Sequence, residues 1–305
     1  MRADSAPVVA PVDVVVVAYN SRGTLRSCVE PLSGVAGITV IVVDNASPDG
    51  GLETIADVPV TAIDAGENRG FAAGCNLGWR SGSAPFVLLL NPDARIAPAS
   101  VHELARCLEE WPQGGAAAPR IVGADGGLEY SLRRFPRLRS TYAQALFLHR
   151  LFPRADWADE VVRDLDAYEH AGSPEWVSGA CVLVRRALLE QLGGLDEGYF
   201  HYSEDKDLCR RIRNLGYEIR YAPDALVVHE GGHSAPRASL LPLLARNRIR
   251  YAKLHRGRGY VLLERGGVAL GALTHLLAGR GGRQRRTGHV RSLRVSLSRL
   301  RDLRP

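Results

Sequence analysis

Residues 12–20 read VDVVVVAYN, a run of β-branched side chains that ends in a tyrosine and an asparagine. An uninterrupted apolar run of this length is typical of a parallel strand that is buried on both faces. Residues 38–47 read ITVIVVDNAS and residues 86–93 read FVLLLNPD, so the same pattern returns twice and again ends in polar side chains. In open α/β sheets, ligands bind where such strands end, at a switch point in strand order. The sequence therefore predicts a ligand site at these strand ends.

Helical stretches separate the strands of the first part of the chain. Apolar spacing and capping residues predict helices over residues 21–32, 71–80 and 98–110, and a third strand over residues 58–63. Strand and helix alternate, which predicts a doubly wound, Rossmann-like α/β sheet. Residues 18–23 lack Gly-x-Gly-x-x-Gly, and the chain has no Gly-x-x-x-x-Gly-Lys. These absences argue against a dinucleotide-dependent dehydrogenase and a P-loop enzyme.

The alternation breaks near residue 114. A hairpin turn at residues 125–127, a strand over 177–184 and short strands over 219–221 and 225–228 are predicted there, and a helix begins at residue 203 or 204. Residues 133–168 mix arginines, aromatics and acids without periodicity, so we expect a mobile segment shaped by the substrate.

The sequence divides into three parts. We expect a flexible N-terminus (1–11) and an α/β domain (12–238) with two halves, over about 12–112 and about 113–238. A helical, arginine-rich extension (239–305) follows, with helices over 240–254, 260–277 and 290–303.

Cysteine spacing and targeting segments indicate the cellular compartment. The five cysteines are widely spaced without a Cys-x-x-Cys pair, which predicts reduced thiols rather than zinc ligands or a disulfide framework. No signal peptide is recognised, and no run of about 18 apolar residues predicts a membrane span. We therefore expect a cytoplasmic protein.

Positive charge is concentrated at the C-terminus. Residues 280–305 contain nine arginines and one acid, whereas the whole chain carries a net charge of +6. Leu293, Leu297 and Leu300 have helical spacing among these arginines, which predicts a basic amphipathic helix on the anionic inner leaflet of the plasma membrane. Alternatively, the leucines pack on the catalytic domain or form a homodimer, or the arginines are a codon-biased surface. No nucleic-acid-binding motif accompanies the charge, so no nucleic-acid partner is expected.

Carboxylates at the strand ends suggest that a nucleotide and a cation bind there. Asp44 can accept the ring N–H of uracil or thymine, although an Asp-x-x-Ser turn is the alternative. Asp93 suits a hard cation that bridges a nucleotide diphosphate, although Asn-Pro-Asp is also a common loop sequence.

A second group of polar residues suggests catalysis. Glu204, Asp205 and Asp207 crowd the first turn of a predicted helix, where the helix dipole alone would favour acids. One of them can act as a general base toward an attacking hydroxyl. His229 ends the last apolar strand and can bind Mn²⁺ or a similar ion, although a lone histidine is more often structural.

Together these motifs resemble the family 2 glycosyltransferases, which are inverting enzymes of the GT-A fold, and among them the rhamnosyltransferase-like branch. The resemblance covers residues 12–235. It is strongest at WVSGACVLVRR (176–186), GGLDEGYF (193–200) and EDKDLCRR (204–211), followed by Gly216-Tyr217 and His229. Several motifs in the family's order and spacing are more specific than any one of them.

The resemblance implies that residues 12–238 form the catalytic domain, with a nucleotide-sugar half over about 12–112 and an acceptor half over about 113–238. It also implies a role for each matching residue. Asp205, with Glu204 beside it, would be the catalytic base, and Asp93 and His229 would hold a divalent cation, Mg²⁺ or Mn²⁺. The acceptor would contact Trp176, Ser178, Gly179 and Tyr202. The nucleotide site would comprise Ala18, Tyr19, Asn20, Asp44, Asn68, Arg69, Asn91 and Asp93.

One motif departs from the family pattern. The usual Asp-x-Asp is Asn91-Pro92-Asp93 here, so Asn91 can bond a ribose hydroxyl but adds no charge. The rhamnosyltransferase-like branch shows the same Asn-Pro-Asp.

The resemblance implies transfer of a deoxysugar, expected to be L-rhamnose, from a dTDP- or UDP-sugar to a hydroxyl of a lipid-linked or cell-surface glycan precursor. A catalytically silent binding module, a glycosyltransferase for small soluble acceptors and a nucleotidyltransferase are alternatives. The last is disfavoured because a glycine-rich N-terminal loop is absent.

Overall fold

A computed structural model describes residues 10–231, 237–279 and 282–298 of the chain. Its strands, in chain order, are β1 (Val12–Ala18), β2 (Ile38–Asp44), β3 (Thr61–Asp64), β4 (Phe86–Leu90), β5 (Ala94–Ile96), β6 (Gly114–Val122), β7 (Leu132–Arg133), β8 (Trp176–Val177), β9 (Cys181–Arg185) and β10 (Glu218–His229). Its helices are α1 (Leu25–Val29), α2 (Phe71–Arg80), α3 (Pro98–Glu110), α4 (Leu138–Ala145), α5 (Leu148–Leu151), α6 (Arg186–Leu192), α7 (Glu204–Asn214), α8 (Arg237–His255), α9 (Arg258–Leu277) and α10 (Gly282–Leu297).

Eight strands form one mixed sheet in the order β3-β2-β1-β4-β9-β6-β10-β5. The first four are parallel, and β9 runs antiparallel to both β4 and β6. The connection after β1 leads to β2 on one side, whereas β4 returns to the other side of β1. Strand order therefore reverses between β1 and β4, which is where a ligand cleft is expected in such a sheet.

Strand β1 lies in the middle of the core. Val14 and Val16 pack on one face of the sheet and Val15 and Val17 on the other, and all four are buried. Helices cover both faces, so an apolar side chain is favoured at every position of this strand. The one acid in the run, Asp13, is also buried; it accepts hydrogen bonds from the Ala84 amide (2.8 Å) and the Arg186 guanidinium (2.6 Å).

The doubly wound first half is confirmed, with small differences in its elements. The third strand covers Thr61–Asp64 rather than 58–63, and the first helix is a short α-helix followed by a 3-10 turn over Glu30–Leu32. Strands β5 and β6 were not predicted. Neither strand has the run of β-branched residues that marks β1. Strand β5 has only three residues, and β6 is built largely from glycine and alanine.

The second half is more regular than the sequence predicts. The two short strands near the end are one strand, β10, with a bulge between Ala222 and Leu226. The predicted strand over 177–184 is two strands, β8 and β9. Helices α4 and α5 lie inside the segment that was expected to be mobile. Tertiary contacts with α9 order α4, because buried Glu264 accepts a hydrogen bond from Thr141 at 2.9 Å.

The C-terminal extension is helical, as predicted, and packs on itself and on the catalytic domain. Helix α10 begins at Gly282 rather than at residue 290, and it contacts both α8 and α9. No described helix combines the length and the hydropathy needed to cross a bilayer. Most of the N-terminus that was expected to be flexible (residues 1–9), and the predicted stripe residue Leu300, lie outside the described residues.

Candidate functional site

A cavity of about 510 Å³ opens where β1 and β4 end. Its wall includes residues at the ends of both strands, the residue that precedes α2, the segment before α7 and two leucines of α8. It is lined by Val17, Tyr19, Asn20, Ser21, Thr24, Asn45, Asn68, Gly70, Phe71, Asn91, Pro92, Asp93, Phe200, His201, Leu240 and Leu243. The cavity therefore lies at the switch point of the sheet, and the C-terminal extension forms part of its wall.

Five of the eight predicted nucleotide residues line this cavity, namely Tyr19, Asn20, Asn68, Asn91 and Asp93. Asn20 has a left-handed backbone (φ 51°), and its amide donates to the Ser47 hydroxyl at 2.8 Å. This turn directs the chain away from β1 and leaves the Asn20 side chain exposed at the cleft.

Asp44 lies at the end of β2, next to the cleft. Its Oδ2 accepts a hydrogen bond from the Ser47 amide at 3.2 Å, and no described residue donates to its buried Oδ1. Burial raises the pKa of this carboxyl, and the Ser47 amide partly offsets the effect. An orphaned acceptor beside a cleft is costly unless a ligand or water satisfies it, so Asp44 Oδ1 fits a ligand N–H.

Besides Asp44, two predicted nucleotide residues do not line the cavity. Ala18 is fully buried, and its carbonyl accepts the Asn45 amide at 2.9 Å. Arg69 points toward the surface and pairs with Glu197 at 3.2 Å. Asn45, which the sequence analysis did not select, lines the cavity and donates to Asn68 Oδ1 (2.9 Å).

Gly70, which precedes α2, packs closely against the segment before α7. Its φ is 91°, and a Cβ built on it would lie 2.2 Å from the Phe200 carbonyl oxygen. The neighbouring Phe71 amide donates to that same oxygen at 2.8 Å. Only glycine permits this approach, so the two segments are held in one fixed arrangement.

Asp205 lies in the first turn of α7. Its Oδ2 accepts a hydrogen bond from the Gly179 amide at 3.0 Å, and its Oδ1 accepts the Lys206 amide at 2.7 Å. The absence of a side chain at Gly179 matters, since a Cβ there would lie 3.0 Å from the Asp205 Cβ. The half-buried carboxylate is thus oriented by two backbone donors.

The three acids of this turn have different surroundings. The carboxyl of Glu204 is buried against apolar residues such as Phe71 and Leu208, and burial together with the nearby Asp205 charge raises its pKa to about 8. Asp207 is buried too, but it pairs with Arg211 and His255, both at 2.7 Å. Burial opposes ionisation of Asp207, and these hydrogen bonds outweigh it and lower its pKa.

Asn247 of α8 holds the segment that carries Asp205. Its Nδ2 donates to the carbonyl oxygens of His201 (2.8 Å) and Tyr202 (2.7 Å). Tyr202 and Ser203 both have left-handed backbones, with φ of 68° and 78°. Such conformations persist where surrounding contacts enforce them. Sequence analysis missed Asn247, and no local pattern distinguishes it from other polar residues of a helix.

Asp93 and His229 are brought together by pairing of β5 with the end of β10, in which His229 lies opposite Ala94. Asp93 Oδ1 and His229 Nε2 are 3.3 Å apart, and His229 Nδ1 contacts Glu129 Oε2 at 3.1 Å. Burial would lower the pKa of His229, but hydrogen bonds to both carboxylates outweigh it and raise the pKa to about 9.

These groups fit a divalent cation in part. A carboxylate oxygen and an imidazole nitrogen 3.3 Å apart can bind the same ion, while Glu129 orients the ring from its other nitrogen. In the described part of the chain, no group of three His, Cys, Asp or Glu side chains is arranged to hold a metal. The remaining ligands would come from a bound diphosphate or from water.

The predicted acceptor residues lie around Asp205 rather than in the cavity wall. Gly179 and Tyr202 flank it, the Ser178 amide donates to the Ser131 carbonyl, and the Trp176 indole donates to the Arg134 carbonyl at 2.9 Å. The ammonium of Lys206 lies 5.8 Å from the centre of the Trp176 ring.

The mixed sheet of this strand order is that of the GT-A fold, which the chain shares with solved structures. The chain belongs to glycosyltransferase family 2, because the profile described as "Glycosyltransferase like family 2" matches residues 9–252. It is therefore an enzyme of the glycosyltransferase class, as the sequence predicts.

Two relatives support this assignment. The chain is 32% identical over 254 residues to the N-acetylglucosaminyl-diphospho-decaprenol L-rhamnosyltransferase of Mycobacterium tuberculosis, covering 78% of this chain and 82% of the relative. It is 29% identical over 159 residues to a rhamnosyltransferase of Escherichia coli, covering 51% of this chain and 56% of that one.

Solved structures share the fold at low sequence identity. The mannosyltransferase PcManGT of Pyrobaculum calidifontis, in complex with GDP-Man and Mn²⁺, has a TM-score of 0.56 and 18% identity, covering 95% of this chain and 81% of that chain. GalNAc-T7 with UDP, GalNAc and Mn²⁺ has a TM-score of 0.59 and 13% identity, covering 81% and 48%.

Proposed function

We propose that the chain transfers L-rhamnose from a dTDP- or UDP-sugar to a hydroxyl of a lipid-linked or cell-surface glycan precursor, with inversion at the anomeric carbon. The observation that carries this proposal is the cavity of about 510 Å³ at the switch point, which has Asp93 in its wall. The name of the mycobacterial relative supports both the sugar and the class of acceptor.

On the donor side, Asp44 Oδ1 accepts the ring N–H of the pyrimidine. Its burial without a hydrogen-bond donor supports this role, since a ligand would satisfy it. Asn91 bonds a ribose hydroxyl, and Asp93 lies where the diphosphate would enter the cleft. The pyrimidine is the part of the donor that Asp44 recognises, so the base should matter more than the sugar for donor affinity.

On the acceptor side, Asp205 removes the proton of the attacking hydroxyl. The oxygen then forms a bond to the anomeric carbon while the bond from that carbon to the diphosphate oxygen breaks on the opposite face, which inverts the configuration. The proton passes to Asp205, and the bonding electrons leave with the nucleoside diphosphate. The backbone amides of Gly179 and Lys206 support this assignment, because they orient the carboxylate.

A divalent cation, Mn²⁺ or Mg²⁺, would be held by Asp93 and His229. Their 3.3 Å separation and the presence of Mn²⁺ in the solved complexes of PcManGT and GalNAc-T7 support this proposal. Such a cation neutralises charge on a departing diphosphate. Glu129 accepts the Nδ1–H of His229 and so directs Nε2 toward Asp93, where the cation would take the place of the Nε2 proton.

A donor screen tests the proposal. The melting temperature of the full chain is measured with dTDP-rhamnose, UDP-rhamnose, UDP-glucose and GDP-mannose, each with Mn²⁺ and with EDTA, since a ligand that binds the native state raises it. We expect the pyrimidine nucleotides to raise it only with Mn²⁺, and GDP-mannose to have no effect.

A matched pair of variants locates the effect. Asp44→Ala should weaken the binding of dTDP and UDP alike by about tenfold or more, since a charged hydrogen bond is lost. Asp224→Ala removes an exposed acid away from the cleft and should bind normally. Stabilisation by GDP-mannose alone, or an Asp44→Ala variant with normal affinity, would refute the donor assignment. A chain that binds and hydrolyses no sugar nucleotide would instead be a silent module.

A further inference from the structure

Helix α9 has an uncharged face on which several leucines are exposed. Its buried residues are Val261, Glu264, Gly267 and Ala272, and the helix packs against α4, α8 and α10. The opposite face contains Leu262, Leu273 and Leu277, which are 65%, 43% and 86% exposed. Glycine, alanine and leucine occupy the other positions of that face, so a stripe without charge runs along the helix. Exposed leucines at helical spacing form a contiguous patch rather than scattered surface residues.

The segment that contains α5 also has exposed apolar side chains, since Leu151 and Phe152 are 71% and 51% exposed. This segment contacts the C-terminal end of α9, because the rings of Phe147 and His275 lie 4.5 Å apart and Thr274 donates to the Ala145 carbonyl at 2.6 Å. We call the exposed leucines of α9 (Leu262, Leu273 and Leu277) the leucine face.

The extension that carries the leucine face is strongly basic. Residues 237–298 contain fourteen lysines and arginines and a single acid, Glu264. That acid is buried and pairs with Arg248, so it does not reduce the charge at the surface. The arginines of α10, including Arg283, Arg286 and Arg291, are exposed. The stacked rings of His275 and His289, 5.0 Å apart, hold α10 beside α9.

The apolar part of this surface differs from the one that the sequence predicts. Helix α10 packs through Gly288, Ser292 and Ser296, and Leu293 is half-buried. Its outer surface is therefore mainly arginine, with Leu297 exposed. The leucines that can enter an apolar phase are on α9, which the sequence analysis predicts only as a helix.

We propose that the leucine face lies on an anionic lipid bilayer, with the leucines of α9 in the interface and the arginines of α10 against the acidic headgroups. A helix with an apolar face and arginines on its flank has the amphipathic character of a membrane-surface helix. Acidic lipid neutralises the arginines, whereas a symmetric dimer through the same face would bring two positively charged surfaces together. The proposal depends on this surface alone and not on the identity of the donor or acceptor.

Vesicle co-sedimentation of the full chain tests the proposal. Vesicles of phosphatidylglycerol with phosphatidylcholine are compared with vesicles of phosphatidylcholine alone. One variant combines Leu262→Ser, Leu273→Ser and Leu277→Ser. A matched control combines Leu77→Ser, Leu215→Ser and Leu226→Ser, which changes three exposed leucines of the catalytic domain. Melting temperatures and molar masses in solution are measured for all three proteins.

We expect the unchanged chain and the control to pellet with the anionic vesicles at low salt and to be released at high salt. The α9 variant should bind them roughly tenfold more weakly or worse, since three apolar side chains no longer enter the interface. Equal binding by the α9 variant, or no binding by the unchanged chain, would overturn the proposal. It would also be overturned if the unchanged chain were a dimer that the α9 variant converts to a monomer.

Discussion

Asp93 lies in the wall of the cavity and Asp205 follows a segment that lines it, but different kinds of contact place these two acids. Asp93 follows β4 by three residues, and pairing of β5 with β10 is enough to bring it to His229. Asp205 is the second residue of α7, which follows two residues with left-handed backbones. That segment is held by Asn247 from the C-terminal extension and by the Phe71 amide from the first half of the sheet. Position along a strand determines the donor side, whereas the catalytic segment depends on contacts from distant parts of the chain.

This difference has a consequence for mutations. A change on the donor side should alter the binding of nucleotide or cation and leave the catalytic segment in place. A mutation in the C-terminal extension should lower the catalytic rate by shifting the backbone of residues 201–203, although the mutated residue contacts no substrate. The following four predictions test that separation, from the largest expected effect to the smallest.

Asp205→Asn should lower kcat by about 10²-fold or more, because the amide keeps the shape of the side chain but cannot accept the proton. The nucleotide-induced rise in melting temperature should not change, since Asp205 is not in the cavity wall. Steady-state kinetics and thermal shift are compared with those of Asp224→Asn, an exposed acid outside the site. A variant with near-normal kcat would show that another group is the base.

Glu129→Gln should raise the Mn²⁺ concentration needed for half-maximal activity by about tenfold, since the amide orients His229 less strongly than a carboxylate does. At saturating Mn²⁺, kcat should recover, which would distinguish a positioning role from a direct one. Glu190→Gln, an exposed residue of α6, is the control. Activity that is equal in EDTA and in Mn²⁺ would contradict a cation at Asp93 and His229.

Asn247→Ala should decrease kcat while the affinity for nucleotide stays the same. The variant removes two hydrogen bonds to the carbonyls of His201 and Tyr202, each worth about 1 kcal/mol. We therefore expect a decrease of a few degrees in melting temperature and a loss of turnover of roughly tenfold. Asn214→Ala, at the exposed end of α7, should change neither. Weakened nucleotide binding with normal kcat would contradict the separation drawn above.

Glu204→Gln should change turnover little at pH 7, because the folded protein keeps Glu204 protonated with a pKa of about 8. The pKa is raised on folding from an ordinary value of 4.5, so the protonated form stabilises the fold below that value. This contribution is lost as the pH rises through about 8. The melting temperature of the unchanged chain should therefore fall with pH over this window more steeply than that of the variant. A large loss of kcat would instead make Glu204 part of the catalytic machinery.

Sequence reasoning located the parallel strands, the strand-end acids and the helix with three acids, since each of these depends on neighbours in the chain. Residues such as Asp44, Asn91 and Asp93 were selected because they follow a buried apolar run. Strand β5 was missed because three residues carry too little periodicity, and Glu129 was missed because nothing near it in sequence marks it as a partner of His229.

By itself, the sequence determined the fold class, the family and the edge of the sheet at which the site is built. Alternating buried strands and helices leave one favourable arrangement, with polar residues at the strand ends. Only the tertiary structure decided which acid of the turn at 204–207 is half-buried, which is paired with basic side chains and which is buried among apolar residues. It also decided which helix of the extension exposes its leucines. Both depend on side chains that are distant in sequence, and burial by such neighbours determines charge state and exposure.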